Sequence, residues 1–211
     1  SKEWEAPLPP YIKYSKSKEK VYQTNFAKNL WSSAAPTASL HFTKILLNNL
    51  DKSWIKKEFN TLHIWLGTFK PIFEENIKKH KIHSEEIIIN KSIFNKIAEY
   101  KKENKEIIAV WTTSVRLLET LPYLRKLIDS NKFTKNTKEY RNNKTKNIDK
   151  EESKNIVSNI NIDKNSYKLQ TRLFITPWFR FKISEIIITN FHLPKSSLII
   201  MISAFMWRKE A

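Results

Sequence analysis

Residues 106–121 have the sequence EIIAVWTTSVRLLETL, and its pattern indicates the fold class. Its first five residues, 106–110, are a short run rich in apolar and β-branched side chains, which is typical of a buried strand. Residues 112–121 are typical of a helix, and Thr112 can cap its first turn. A buried strand that passes directly into a helix favours an α/β fold, in which a layered sheet is flanked by helices.

The same alternation of strands and helices continues on both sides of this stretch. Apolar, β-prone runs predict further strands at residues 59–66, 85–90 and 183–189. Amphipathic patterns predict further helices at residues 37–50, 92–102 and 195–205. Thr37 can cap the first of these helices.

Residues 126–170 break the pattern. They are dominated by Lys, Asn, Thr, Ser and Asp, and their apolar positions are sparse and have no sustained period. Such a composition cannot bury enough apolar surface to fold alone. We therefore expect a low-complexity, mobile insertion at 126–170 between two parts of one α/β domain, residues 1–125 and 171–211.

The charge balance indicates a polyanionic partner. The chain carries 38 Lys and Arg residues against 21 Asp and Glu residues, which gives a formal net charge of +17. Such an excess draws a protein toward nucleic acid through counterion release and electrostatic steering. Part of the excess reflects a general abundance of Lys, Asn and Ile, so the charge alone fits a basic RNA-binding module as well as an enzyme.

Cysteine is absent from the chain, which excludes disulfides, thiolate metal sites and cysteine nucleophiles. The longest uncharged apolar run, residues 196–207, is too short to span a bilayer. The first residues, 1–3, have no charged and then apolar leader pattern. We therefore expect a soluble, cytoplasmic protein.

Glycine and tryptophan occur in unusual numbers. The chain contains 1 Gly and 7 Trp. Ordinary usage of roughly 7% glycine would place about fifteen in a chain of this length. Turns that require glycine are therefore hard to build from this sequence.

Five blocks of sequence carry a resemblance to a known family. They are YQTNFAKNLWSSAAPTASLHFT at 22–43, TLHIWLGTFKP at 61–71, HKIHSEE at 80–86, VWTTSVR at 110–116 and TNFHLPKSSL at 189–198. In this order and spacing they resemble the S-adenosylmethionine:tRNA ribosyltransferase-isomerase family. With LPPYI at 8–12, the resemblance covers nearly everything outside the predicted insertion.

The resemblance implies a fold, a reaction and partners. The family has an α/β domain with an inserted β-barrel, and we expect this chain to be a fragment that lacks the barrel and the C-terminal end. The implied reaction transfers and isomerises the ribosyl part of S-adenosylmethionine onto 7-aminomethyl-7-deazaguanine at the tRNA wobble position, with release of adenine and methionine. S-adenosylmethionine is then the co-substrate, tRNA the partner, no metal is needed, and a monomer is expected. The alternatives are a non-catalytic RNA-binding module and an inactive fragment.

All five histidines lie in these blocks. They are His41, His63, His80, His83 and His192. The implied reaction needs a base and a proton donor, and a histidine with a pKa near neutrality serves both purposes. We take these histidines as catalytic candidates together with Glu85, which can orient an imidazole. The alternatives are loops held by histidine hydrogen bonds, and a metal bound by His80 and His83, which can share one helical face.

Polar residues at the predicted strand ends are the candidates for ligand binding. Thr112, Thr113 and Ser114 follow a strand, where open α/β sheets bind ligands, although capping by Thr112 is an alternative. Arg116 could clamp the methionine carboxylate or a tRNA phosphate. Further candidates for S-adenosylmethionine are Gly67, Thr68 and Asn190. The candidates for tRNA are Lys195 and Ser196.

Every tryptophan stands where the resembled family has glycine. The positions are Trp4, Trp31, Trp54, Trp65, Trp111, Trp178 and Trp207. Trp111, for example, lies at the predicted turn from strand to helix, where a bulky side chain tolerates positive φ poorly. We hypothesise that the gene uses UGA codons for glycine at these positions; seven true tryptophans are the alternative.

Overall fold

The computed structural model describes residues 24–27, 36–63, 72, 77, 80, 82–130, 149–192 and 194–207. The strands in these ranges are β1 (Thr61–His63), β2 (Glu85–Asn90), β3 (Ile108–Val110), β4 (Val157–Ile162), β5 (Ser166–Thr171) and β6 (Ile186–Ile188). The α-helices are α1 (Lys44–Lys52), α2 (Lys91–Lys102), α3 (Thr112–Ser130), α4 (Lys150–Ile156) and α5 (Ser197–Trp207). The prediction of an α/β fold with a sheet and flanking helices is confirmed.

The larger sheet is antiparallel, with strand order β1-β2-β5-β4. Its two central strands pair with Ile87 opposite Leu169 and Ile89 opposite Tyr167. These four side chains are buried, and the residues between them are more exposed. Because side chains alternate between the faces of a strand, the pattern turns one face of the sheet into the core.

Helix α3 is the central element of the core. It contacts β3, β4, β6 and α4. Most of its side chains are buried, including Val115, Leu117 and Leu124. Pro122 lies inside the helix, which continues through it to Ser130. Because proline has no N–H, the helix lacks one of its backbone hydrogen bonds at this position.

The smaller sheet places two strand ends together. β3 and β6 are parallel, with Val110 opposite Ile188. The N–H of Trp111 continues the pairing by donating to the carbonyl of Ile188 at 2.7 Å. The carboxyl ends of both strands therefore meet at one edge, directly before α3.

Several predicted element boundaries need correction. Residues 37–41 form a 3₁₀ helix, and the α-helix begins at Lys44, because Thr43 rather than Thr37 caps it by accepting from the N–H of Leu46. The predicted strand at 59–66 has Thr61–His63 as its described part. The last strand, predicted at 183–189, is limited to Ile186–Ile188, and the last helix begins at Ser197 rather than at residue 195.

The predicted insertion at 126–170 is wrong over much of its length. Residues 126–130 continue α3, and residues 150–171 form α4 and the hairpin of β4 and β5. Tyr167, Leu169 and Thr171 are buried, whereas the residues between them are polar and more exposed. A strand with one solvated face has low mean hydropathy, which made the segment resemble a loop. The remaining part, residues 131–148, lies outside the described residues.

Across the described ranges, no helix combines the length and the apolar character that crossing a membrane would require.

Candidate functional site

A cluster of three charged or titratable side chains, two of them buried and His83 half-buried, joins β2 to α3. The carboxylate of Glu85 lies 3.1 Å from Nε2 of His83 and 3.1 Å from a terminal nitrogen of Arg116. The other terminal nitrogen of Arg116 donates to the backbone carbonyl of His83 at 2.6 Å and to that of Thr171 at 3.3 Å. Glu85 thus orients the imidazole, as the sequence predicted, and Arg116 holds the backbone of the same histidine.

Burial controls the electrostatics of this cluster. Glu85 is 2% exposed and Arg116 is 5% exposed. Burial lowers the pKa of the Arg116 guanidinium, and the adjacent Glu85 carboxylate opposes this shift. The charge of Arg116 is therefore balanced inside the protein, and its Nε is buried without a hydrogen-bond partner among the described residues. That Arg116 clamps the methionine carboxylate or a tRNA phosphate remains a prediction. Its Nε is the group that would donate to such a ligand.

A cleft lies beside the cluster. Its lining residues are Ile82, His83, Glu85, Thr113, Arg116, Leu173, Phe174, Ile175, Ser197, Leu198 and Met201. Thr113 belongs to the first turn of α3, and Ser197 and Leu198 belong to the first turn of α5. The first turn of a helix carries unpaired N–H groups and the positive end of the helix dipole. The cleft therefore combines a favourable place for an anion with an apolar wall.

A second group of polar side chains lies at the carboxyl edge of β3 and β6. Oγ1 of Thr189 lies 2.8 Å from Nε2 of His192. Asn190 is 3.5 Å from Nε2 of His41, so the 3₁₀ helix at 37–41 reaches this edge. Burial lowers the pKa of His192, which keeps the imidazole neutral near neutral pH. Thr112, whose buried Oγ1 has no partner among the described residues, follows β3 at the same edge.

The other two histidine candidates take different positions. His63 pairs with Glu86 in the register of β1 and β2, so its side chain lies on the sheet face opposite to that of Glu85. His80 packs its ring against Phe174, a lining residue of the cleft, at a centroid distance of 5.6 Å. The structure thus brings His80 near the cleft and separates His63 from it.

The remaining predicted binding residues have identifiable local contacts. Ser114 donates its hydroxyl to the carbonyl of Val110 at 2.7 Å, which ties α3 to β3. Ser196 is buried and accepts from the N–H of Ile199, so it caps α5. Lys195 is exposed. Gly67 and Thr68 lie outside the described residues.

Two features of the site were missed by sequence reasoning. Glu119 is 0% exposed, and its carboxylate accepts the backbone N–H groups of Lys182, Ile183 and Ser184 at 2.7–3.0 Å. It fixes the segment that leads into β6 and the polar edge behind it. The sequence could have indicated this role, because Glu119 is a single carboxylate among the apolar residues of its helix. The lining residues from 173 to 175 were missed because they follow the segment taken for an insertion.

The described residues contain no group of three or more His, Cys, Asp or Glu side chains arranged to hold a metal ion. At His83, one of the two residues of the metal alternative, Glu85 contacts the imidazole and also pairs with Arg116.

Comparisons with known proteins agree with the resemblance in the sequence. The sequence model of the family described as "Queuosine biosynthesis protein" matches residues 2–211. The S-adenosylmethionine:tRNA ribosyltransferase-isomerase of Thermosipho melanesiensis is 40% identical over 205 residues, which cover 97% of this chain and 50% of the relative. The protein of the same name from Thermoanaerobacter sp. is 40% identical over 206 residues, covering 98% of this chain and 50% of the relative. The chain thus spans about half the length of the curated relatives it matches.

Among solved structures, the crystal structure of an S-adenosylmethionine tRNA ribosyltransferase from Thermotoga maritima is similar to this chain. Its TM-score is 0.48 at 24% sequence identity, and the match covers 82% of this chain and 44% of that one.

Proposed function

The chain belongs to the queuosine biosynthesis protein family, and from this we propose that it is part of an S-adenosylmethionine:tRNA ribosyltransferase-isomerase. The complete protein transfers and isomerises the ribosyl part of S-adenosylmethionine onto 7-aminomethyl-7-deazaguanine at the tRNA wobble position, and adenine and methionine leave. This chain contributes the residues around the cleft to the S-adenosylmethionine site, and it contributes the histidines that move protons. The convergence of His83, Glu85 and Arg116 with the first turns of α3 and α5 in one cleft is the observation that carries the proposal.

The cleft offers a place for the carboxylate of the methionine part of S-adenosylmethionine. Two helix N-termini face the cleft through Thr113 and Ser197, and such positions favour an anion. The buried Nε of Arg116 has no partner among the described residues, and it offers a charge-assisted hydrogen bond. Leu198 and Met201 provide an apolar wall for the rest of the ligand.

The reaction needs a base beside the sulfonium. His192 is half-buried, and its lowered pKa keeps the ring able to accept a proton near neutral pH. Thr189 fixes the ring through a 2.8 Å contact with Nε2. We assign to His192 the removal of the proton beside the sulfonium, where the positive sulfur makes that proton acidic.

The leaving adenine needs a proton donor. His83 lines the cleft, and Glu85 orients its imidazole at 3.1 Å. An imidazole held in this way can supply a proton to the purine as the bond to the sugar breaks. His80 packs against Phe174 near the same wall, and we assign it to positioning.

The charge of the chain suits the tRNA substrate. The net charge of +17 attracts phosphates without sequence preference. Lys195 is exposed directly before α5, whose first turn faces the cleft, and we assign it to a tRNA phosphate. The same charge also favours the second candidate, a non-catalytic RNA-binding module.

One experiment separates these two functions. The complete protein, made with glycine at the seven tryptophan positions, is incubated with S-adenosylmethionine and with tRNA carrying 7-aminomethyl-7-deazaguanine. The enzyme proposal predicts adenine release that requires both substrates. Binding of the tRNA without adenine release would contradict it and favour the RNA-binding module. Unmodified tRNA serves as the control and should give no adenine.

A further inference from the structure

Three tryptophans of the described chain occupy backbone conformations that ordinary side chains avoid. The φ angles are 61° at Trp54, 83° at Trp111 and 68° at Trp178. The left-handed region is disfavoured for residues with a Cβ atom, and a bulky residue there is an outlier. The fourth described tryptophan, Trp207, lies at the end of α5 and does not share this feature.

Trp54 closes helix α1 in a motif that normally ends on glycine. Its N–H donates to Asp51, and the N–H of Ile55 donates to Leu50. Together these two bonds define the Schellman motif, whose left-handed residue is usually Gly and sometimes Asn. Trp54 holds that position with its side chain 85% exposed, so no packing compensates for the conformation.

Helix α2 provides an internal comparison. Asn104 has φ 54° and donates to Lys101, while Lys105 donates to Tyr100. The hydrogen-bond pattern matches that of α1, and asparagine is the second residue that the motif accepts. The chain thus builds the same motif twice, once with an accepted residue and once with tryptophan.

Trp178 holds the corresponding position in a turn. Phe179 donates its N–H to the carbonyl of Thr176 at 3.0 Å, Pro177 precedes Trp178, and the φ of Trp178 is positive. Proline followed by a residue of positive φ is the pattern of a type II turn, in which the second position requires glycine or asparagine. The side chain of Trp178 is 81% exposed.

Trp111 lies at the carboxyl edge of β3 and β6. Its N–H donates to Ile188, and its carbonyl accepts from the N–H of Ser114. It therefore joins β3 to α3 at the point where the first turn of α3 begins. Glycine at this position would place no side chain beside the first N–H groups of α3, which a ligand at this edge would approach.

We infer that residues 54, 111 and 178 are glycine in the natural protein, and that their codons are UGA read as glycine. Three unrelated motifs, a helix end, a type II turn and a strand-to-helix junction, each call for glycine and each carry tryptophan. A single change in decoding accounts for all three positions and for the ratio of 1 Gly to 7 Trp. The same decoding makes Trp4, Trp31, Trp65 and Trp207 glycine. Glycine at 111 then places no side chain at the edge of β3 and β6.

The direct test uses the gene and the protein from the cells that make it. We expect UGA at codons 54, 111 and 178, and we expect mass spectrometry of the peptides that contain these positions to show glycine. UGG at any of these three codons, or tryptophan in any of these peptides, would overturn the inference. This test is independent of catalysis, so its failure would not be confused with failure of the proposed reaction.

A second test measures the backbone preference itself. In a chain carrying Trp111→Gly and Trp178→Gly, we compare Trp54→Gly with Trp54→Ala by urea unfolding. Left-handed φ makes Gly the more stable choice, with an unfolding equilibrium constant about 5- to 30-fold lower than that of the Ala variant. The matched control is Glu99 on the exposed face of α2, where Ala should be more stable than Gly. Equal stability of Trp54→Gly and Trp54→Ala, or an advantage for Ala, would overturn the assignment at this position.

Discussion

A terminal nitrogen of Arg116 on α3 lies 3.1 Å from the carboxylate of Glu85 on β2, and both side chains are almost fully buried. Removing two charges from water is costly, so such a pair persists when each partner neutralises the other. This pair also fixes His83, through its imidazole and through its backbone carbonyl. The ion pair therefore couples the stability of the core to the geometry of the proposed site.

The first prediction concerns this pair. Glu85→Ala leaves the guanidinium buried and uncompensated, and we expect a loss of about 3–5 kcal/mol in the free energy of unfolding. Glu151→Ala, which removes the exposed ion pair with Lys154 on α4, serves as the control and should change it by no more than about 0.5 kcal/mol. Urea unfolding measures both. Similar small losses in the two variants would contradict the buried-pair account.

The second prediction concerns Glu119. Glu119→Ala leaves three backbone N–H groups, those of residues 182–184, without their acceptor. Each unsatisfied buried donor costs about 1–3 kcal/mol, so we expect the free energy of unfolding to fall by at least about 3 kcal/mol. Hydrogen exchange should show faster exchange of these three amides than in the unchanged protein. Glu119→Gln keeps one acceptor oxygen, so its free energy of unfolding should fall less. A fall equal to that of Glu119→Ala would contradict the role of Glu119 as the acceptor of these N–H groups.

The third prediction concerns pH. Burial lowers the pKa of His192 below its ordinary value of 6.5. The unfolded chain therefore binds this proton more readily than the folded chain, so the contribution of His192 to stability is present above pH 6.5 and is lost as pH falls toward the folded pKa. His192→Gln should show a smaller loss of stability over that acidic window. Thr189→Val keeps the imidazole and should retain the pH dependence; parallel curves for His192→Gln and the unchanged protein would contradict the shift.

The sequence predicted those parts of the fold that local patterns determine. The strand at 85–90 and the helix that begins at Thr112 follow from the apolar periodicity of their own residues. The hairpin of β4 and β5 was missed because its buried residues, such as Tyr167 and Leu169, alternate with polar ones on a solvated face. Its place in the sheet depends on pairing with β2, which is distant in sequence and leaves no local signal.

Some contacts of the candidate site could be predicted from the sequence, and others could not. A role for Glu85 in orienting an imidazole follows from its position two residues after His83, and the structure has this contact. The burial of Arg116 against Glu85 depends on the docking of α3 on the sheet, which sequence spacing does not encode. The turns at Trp54, Trp111 and Trp178 could not be predicted from their residues. The backbone has positive φ at these positions, and tryptophan disfavours that conformation.

A pair of histidine variants tests whether ribosyl transfer takes place at the cleft beside His83. Each variant is made in the complete protein with glycine at the seven tryptophan positions, and adenine release is measured with S-adenosylmethionine and the modified tRNA. His83→Gln should slow adenine release by roughly 100-fold or more, since it removes a proton donor. His63→Gln, on the opposite face of the sheet, should leave the rate nearly unchanged. Equal rates in the two variants, or a larger loss in His63→Gln, would contradict the account.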